Sequence, residues 1–148
     1  MPQPRSNRAA WLPWALTPLA VAGFTALWLL AAFYSGRQCS WMAVLGALDL
    51  IWVLGLGRPT TPLRRAVGAT VGTVVMIVLA NWLLASTYAG SQVGLSPWEA
   101  ALRLGGRHAL TLAGLANAWQ DAVWVAVALA VAACGPFLAA RMQATAVR

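Results

Sequence analysis

Residues 66–88 read AVGATVGTVVMIVLANWLLASTY, from Ala66 to Tyr88, without a single charged side chain. At about 1.5 Å of rise per residue, a helix of this run is long enough to cross the ~30 Å hydrocarbon core of a bilayer. The rest of the chain is of the same kind. It is 61% hydrophobic and only 9% charged, with a mean hydropathy of +0.71. A soluble domain of 148 residues with that composition would leave too much apolar surface in water, so the reading is an all-α polytopic membrane protein.

Working outward from Ala66–Tyr88, three further apolar runs follow the same logic. Ser40–Leu56 (SWMAVLGALDLIWVLGL) is about as short as a spanning helix can be and carries one acid, Asp49. Trp11–Tyr34 is longer than the apolar core of a cleaved signal peptide, roughly 7–15 residues, and reads as a retained helix. In it, Pro13 fits a first turn and Pro18 is expected to kink the helix or delay its regular part. Ala122–Ala140 is flanked by Asp121 and Arg141, which suit the two ends of the macrodipole, and Pro136 is expected to kink its last turns. The spans expected are therefore about 11–34, 40–56, 66–88 and 122–140 in a single membrane domain.

Between the third and fourth spans, Ser96-Pro97-Trp98-Glu99 has the form of a helix start, with Ser as N-cap, Pro at the first helical position and Glu at the third. From there to about residue 108, Glu99, Arg103 and Arg107 recur at four-residue steps, with Leu95, Trp98, Ala101 and Leu102 on another side. This predicts an amphipathic interfacial helix over about 96–108. Gly105-Gly106 is expected to break or bend it, and Ala109–Trp119 is apolar but too short to span alone.

All ten basic residues are Arg, which points to a GC-rich genome and a bacterial source. The net charge of +7 does not imply nucleic acid, because the Arg residues gather at the ends of apolar runs and form no continuous basic face. Arg5, Arg8, Arg58, Arg64, Arg65, Arg141 and Arg148 fall on one side of the four-span topology and Arg37, Arg103 and Arg107 on the other. The positive-inside rule then puts both termini in the cytoplasm, with the chain in the inner membrane.

Two polar groups stand out as candidate sites. Asp49, Asn81 and Thr25 each lie roughly 10–14 Å from the outer end of their runs, counted at the helical rise, and form a possible shared polar layer. An intramembrane acid is a candidate proton-binding group; the alternative is that the three side chains satisfy one another and hold the bundle together. At the outer surface, Glu99, Arg103, Arg107, His108 and Asp121 form a second cluster, in which His108 is the only imidazole available for acid–base work. Their spacing matches no catalytic signature, and the alternative is a solvated helix face and the cap of the last span. One His and no thiol pair on one side argue against a metal or haem site, so neither metal nor other cofactor is expected.

Trp28, Trp52, Trp82 and Trp124 lie inside the runs, and Trp52 and Trp82 are placed to line a pocket beside Asp49 and Asn81. Gly68 and Gly72 form a GxxxG spacing that permits close helix approach. Taken together, these features predict a non-catalytic accessory or scaffold subunit of a larger, transport-related envelope complex. Its expected partners are the lipid bilayer and either a protein subunit or further copies of itself. The alternatives are an oligomeric proton-coupled carrier using Asp49 and, third, an enzyme acting on lipid or envelope precursors.

Overall fold

The computed structural model describes residues 8–56, 61–103 and 119–146. Among them the only regular structure is helix: α1 (Arg8–Ser35), α2 (Met42–Gly55), α3 (Pro62–Gln92), α4 (Pro97–Arg103) and α5 (Trp119–Ala146). Three of these, α1, α3 and α5, are long and apolar enough to cross a membrane. At the helical rise they measure about 42, 46 and 42 Å, against about 21 Å for the 14 residues of α2. The chain is thus a helical bundle of the kind membranes hold, with one apolar helix shorter than a span.

Helices α2 and α3 pack together at the centre; α1 and α5 each pack against both of them and not against each other. The contact surfaces are made of small residues. Ala32, Ala43, Ala47, Ala69, Ala80, Ala128 and Ala132 are completely buried, whereas Leu19, Leu27, Leu30, Leu48 and Leu138 point outward. In lipid nothing drives large apolar side chains inward, so close backbone approach decides what sits between helices. Gly72 shows this directly: a β-carbon there would come 2.9 Å from Leu50 Cδ1. Gly68 and Gly72 therefore serve packing within the chain, against Trp14 and Leu54 and against Leu50 and Thr17.

Helix α1 begins early enough that both Pro13 and Pro18 lie inside it, and α5 likewise continues through a buried Pro136. The expected interruptions do not divide the helices. In α1 the Thr17 hydroxyl donates to the Pro13 carbonyl at 2.9 Å, one way a nearby hydroxyl re-satisfies backbone that proline disturbs. Thr25, Thr73 and Thr87 likewise bond the carbonyl four residues back, which is where a hydroxyl surrounded by hydrocarbon can find an acceptor.

The ends of α3 follow their sequence. Pro62 opens it at the first helical position. At the other end Gly94 adopts φ +69°, and the Leu95 N–H bonds the Gly90 carbonyl at 3.0 Å, the six-to-one bond of a Schellman stop. Helix α4 then starts as its residues predict. The Glu99 carboxylate accepts from the Ser96 hydroxyl at 2.9 Å and the Ser96 N–H at 3.3 Å, and the Glu99 N–H reaches Ser96 Oγ at 3.4 Å. The buried side of α4 is Ala100 and Ala101, lying over Gly90 of α3, while Leu102 is exposed. The apolar face expected through Leu102 is therefore displaced, because the glycine on α3 admits only a short side chain. The remainder of the expected interfacial segment, including Arg107 and His108, lies outside the described residues.

Candidate functional site

Three side-chain hydrogen bonds meet on the non-helical connection between α1 and α2. Its chain turns at Gly36 (φ +63°) and again at Cys39, which holds φ +51° despite its side chain. Three contacts hold this turn in place. The Trp28 indole N–H donates to the Gln38 carbonyl at 2.8 Å. The Gln38 side-chain amide donates to Asn81 Oδ1 at 2.9 Å, and the Ser40 hydroxyl donates to Asp121 Oδ1 at 2.5 Å. One short connection is thereby tied to α1, α3 and α5 at once.

Each partner is set up by its own helix. Asn81 donates its Nδ2 to the Ile77 carbonyl at 2.9 Å, which turns Oδ1 outward to accept from Gln38. Trp28 is 1% exposed and Ser40 5%, so the bonds they make are shielded from water. The Ser40–Asp121 contact is a hydroxyl on a carboxylate, the short, charge-assisted kind. Placing Asp121 in the first turn of α5 also satisfies the positive end of that helix.

The connection is tucked below the ends of its neighbours. Trp28 lies seven residues before the end of α1, and Asn81 eleven before the end of α3. At the helical rise that is about 10 and 16 Å. Irregular backbone at such depth is tolerated only where protein covers its polar groups, and here the Trp28 indole satisfies the Gln38 carbonyl.

This lowering separates the three intramembrane candidates. Asn81 is level with the start of α2, whereas Asp49 is seven residues further along α2 than Met42, about 10 Å deeper. Thr25 turns its hydroxyl to Val21 of its own helix at 2.7 Å. No hydrogen bond joins any two of Thr25, Asp49 and Asn81. The shared layer was counted from run ends taken as level, and α2 starts lower than α1 and α3 finish.

Asp49 lies at the margin of the buried stripe of α2. It sits one turn from Gly46, on the side where Met76 and Phe24 close over that glycine, and it is half-buried. Among the described residues no donor is within hydrogen-bonding distance of its carboxylate. Trp52 and Trp82 are 66% and 37% exposed; both face outward and neither lines a pocket beside Asp49. At the far end of α2, Arg65 lies across Gly55 and donates from Nη2 to the Ile51 carbonyl at 3.4 Å, a cation against the negative end of the helix.

In the outer cluster the structure separates the residues it describes. Glu99 is engaged with Ser96, Arg103 is exposed at the end of α4, and Asp121 is bound to Ser40. Among the described residues no group of three or more His, Cys, Asp or Glu side chains is arranged to hold a metal ion.

The chain matches no family model, no curated protein and no solved structure.

The residues that sequence reasoning missed are Trp28, Gln38 and Ser40. Trp28 reads as one of four indoles inside the runs, and Ser40 as the first residue of the Ser40–Leu56 run. The one usable signal was the shortness of the run after them, which leaves part of the bundle height to be filled by connection.

Proposed function

We propose that this chain is a non-catalytic subunit of a larger bacterial inner-membrane complex, transport-related, in which it serves as a helical scaffold. It crosses the membrane four times with both termini in the cytoplasm, and α4 lies at the outer interface. The observation that carries this reading is how the polar side chains are used. Gln38 bonds Asn81 and Ser40 bonds Asp121, tying the α1–α2 connection to α3 and to α5, so these polar contacts serve cohesion rather than lining an open cleft. Meanwhile Trp52, Trp119 and Trp124, with a broad set of Leu and Val, face outward and are available to lipid or to neighbouring subunits.

A second reading rests on Asp49, the half-buried acid without a donor among the described residues. An oligomeric proton-coupled carrier would use it as the coupling site. One experiment addresses both. The protein is purified from its native membrane in mild detergent, and accompanying polypeptides are identified by mass spectrometry for the wild type and for Asp49→Asn. A stoichiometric partner retained by both supports the scaffold. A homo-oligomer with no partner, losing proton movement in proteoliposomes on Asp49→Asn, transfers the function to the carrier.

A further inference from the structure

Helices α1 and α3 run parallel, because α2 returns the chain between them, and near their N-terminal ends they leave an open groove of about 550 Å³. Its walls include Trp14 and Pro18 of α1 and Val67, Val71, Val75 and Leu79 of α3. Gly68 and Gly72 form part of the α3 wall. The groove is apolar throughout: Thr17 also lines it, but its hydroxyl is turned to the Pro13 carbonyl.

Arg64 lies one turn before Gly68 on the helical face of α3 that lines this groove. It precedes Gly68, Val71, Val75 and Leu79 by 4, 7, 11 and 15 positions, the spacing of a single helical face. The neighbouring Arg65 is drawn away to the end of α2, whereas Arg64 is exposed and makes no hydrogen bond among the described residues. From Val67 to Leu79 the groove wall rises about 18 Å, close to the ~15 Å depth of one leaflet's hydrocarbon. An apolar channel one leaflet deep, with an unengaged guanidinium one turn beyond it on the same helical face, complements the shape and charge of an anionic phospholipid.

We infer that the α1–α3 groove is a binding site for one anionic phospholipid of the leaflet in which these helices begin, with an acyl chain along Val67–Leu79 and the headgroup phosphate on Arg64. A guanidinium offers the phosphate two parallel N–H donors, which a neutral side chain cannot replace. A second copy of the chain fits less well. A twofold dimer through this groove would bring two Arg64 side chains to the same depth, like charge facing like.

The test is native mass spectrometry of the purified full chain in detergent, titrated with phosphatidylglycerol or with phosphatidylcholine. The wild type is expected to retain one phosphatidylglycerol per chain in preference to phosphatidylcholine. Arg64→Gln is expected to weaken phosphatidylglycerol binding roughly five- to tenfold and phosphatidylcholine binding less, because the choline cation already neutralises that lipid's phosphate. Arg141→Gln, an exposed cation on α5, is the matched control and should change neither. Val75→Trp, which fills the groove from its lipid-facing side, should remove retention of both lipids. The inference is overturned if Arg64→Gln and Arg141→Gln bind phosphatidylglycerol alike, or if the groove proves to be a dimer contact, seen as a wild-type dimer that Val75→Trp dissociates with no lipid lost. Should Val75→Trp fail to fold, the comparison of the two Arg variants decides alone.

Discussion

Asn81 is the residue on which the joining of α3 to the α1–α2 connection depends. Its amide is used twice, once on its own helix and once on Gln38, so removing it deletes the bond that ties α3 to Gln38. Hydrogen bonds between membrane helices average about 0.6 kcal/mol and reach about 1.7 kcal/mol in double-mutant cycles. Asn81→Ala is accordingly expected to lower unfolding free energy by about 1 kcal/mol. Gln38→Ala on the Asn81→Ala background should add much less than it does alone. A denaturing-detergent titration of the two single variants and the double variant reads this; strict additivity would mean that the 2.9 Å contact contributes nothing to stability.

At the scale of elements, glycine separates packing from propensity. Gly72 faces α2 so closely that a larger side chain must displace Leu50, and overpacking of this kind costs about 1–3 kcal/mol. Gly23 of α1 has nothing within 4 Å of where its β-carbon would stand. Gly72→Leu should therefore destabilise by that amount, whereas Gly23→Ala should stabilise by up to about 1 kcal/mol through helix propensity. Thermal unfolding in one detergent compares them, and equal effects at the two positions would contradict the packing described. The long helices themselves were legible, because an uncharged run such as Ala66–Tyr88 admits few other structures. So was the start of α4, whose Ser96 and Glu99 fix a cap through local chemistry. That Asn81 bonds Gln38, and that Asp49 has no donor among the described residues, was not legible. Depth along one helix can be counted from its sequence, but the offset between helices is set by how far a connection is drawn inward, and that depends on Trp28 and Asn81 acting across the fold.

For the whole molecule the decisive question is whether α2 crosses the membrane. At one end its connection is level with Trp28 and Asn81; at the other, Arg65 lies across its last turn. Between Arg65 and Asn81, α3 rises 16 residues, about 24 Å. Helix α2, about 21 Å long, runs beside most of that interval and by itself falls short of a ~30 Å core. Because α1 and α3 run parallel, α2 must carry the chain back across the bundle. Single cysteines introduced for Arg37, Thr61, Ser91 and Thr145, in a background where Cys39 and Cys134 are serine, test this with a membrane-impermeant thiol reagent. Positions 61 and 145 should label from one face, and 37 and 91 from the other. Position 37 should react more slowly than 91, since its loop is held inside by Gln38 and Ser40. If positions 37 and 61 label from the same face, α2 enters and leaves on one side, and the parallel arrangement of α1 and α3 cannot hold in the bilayer.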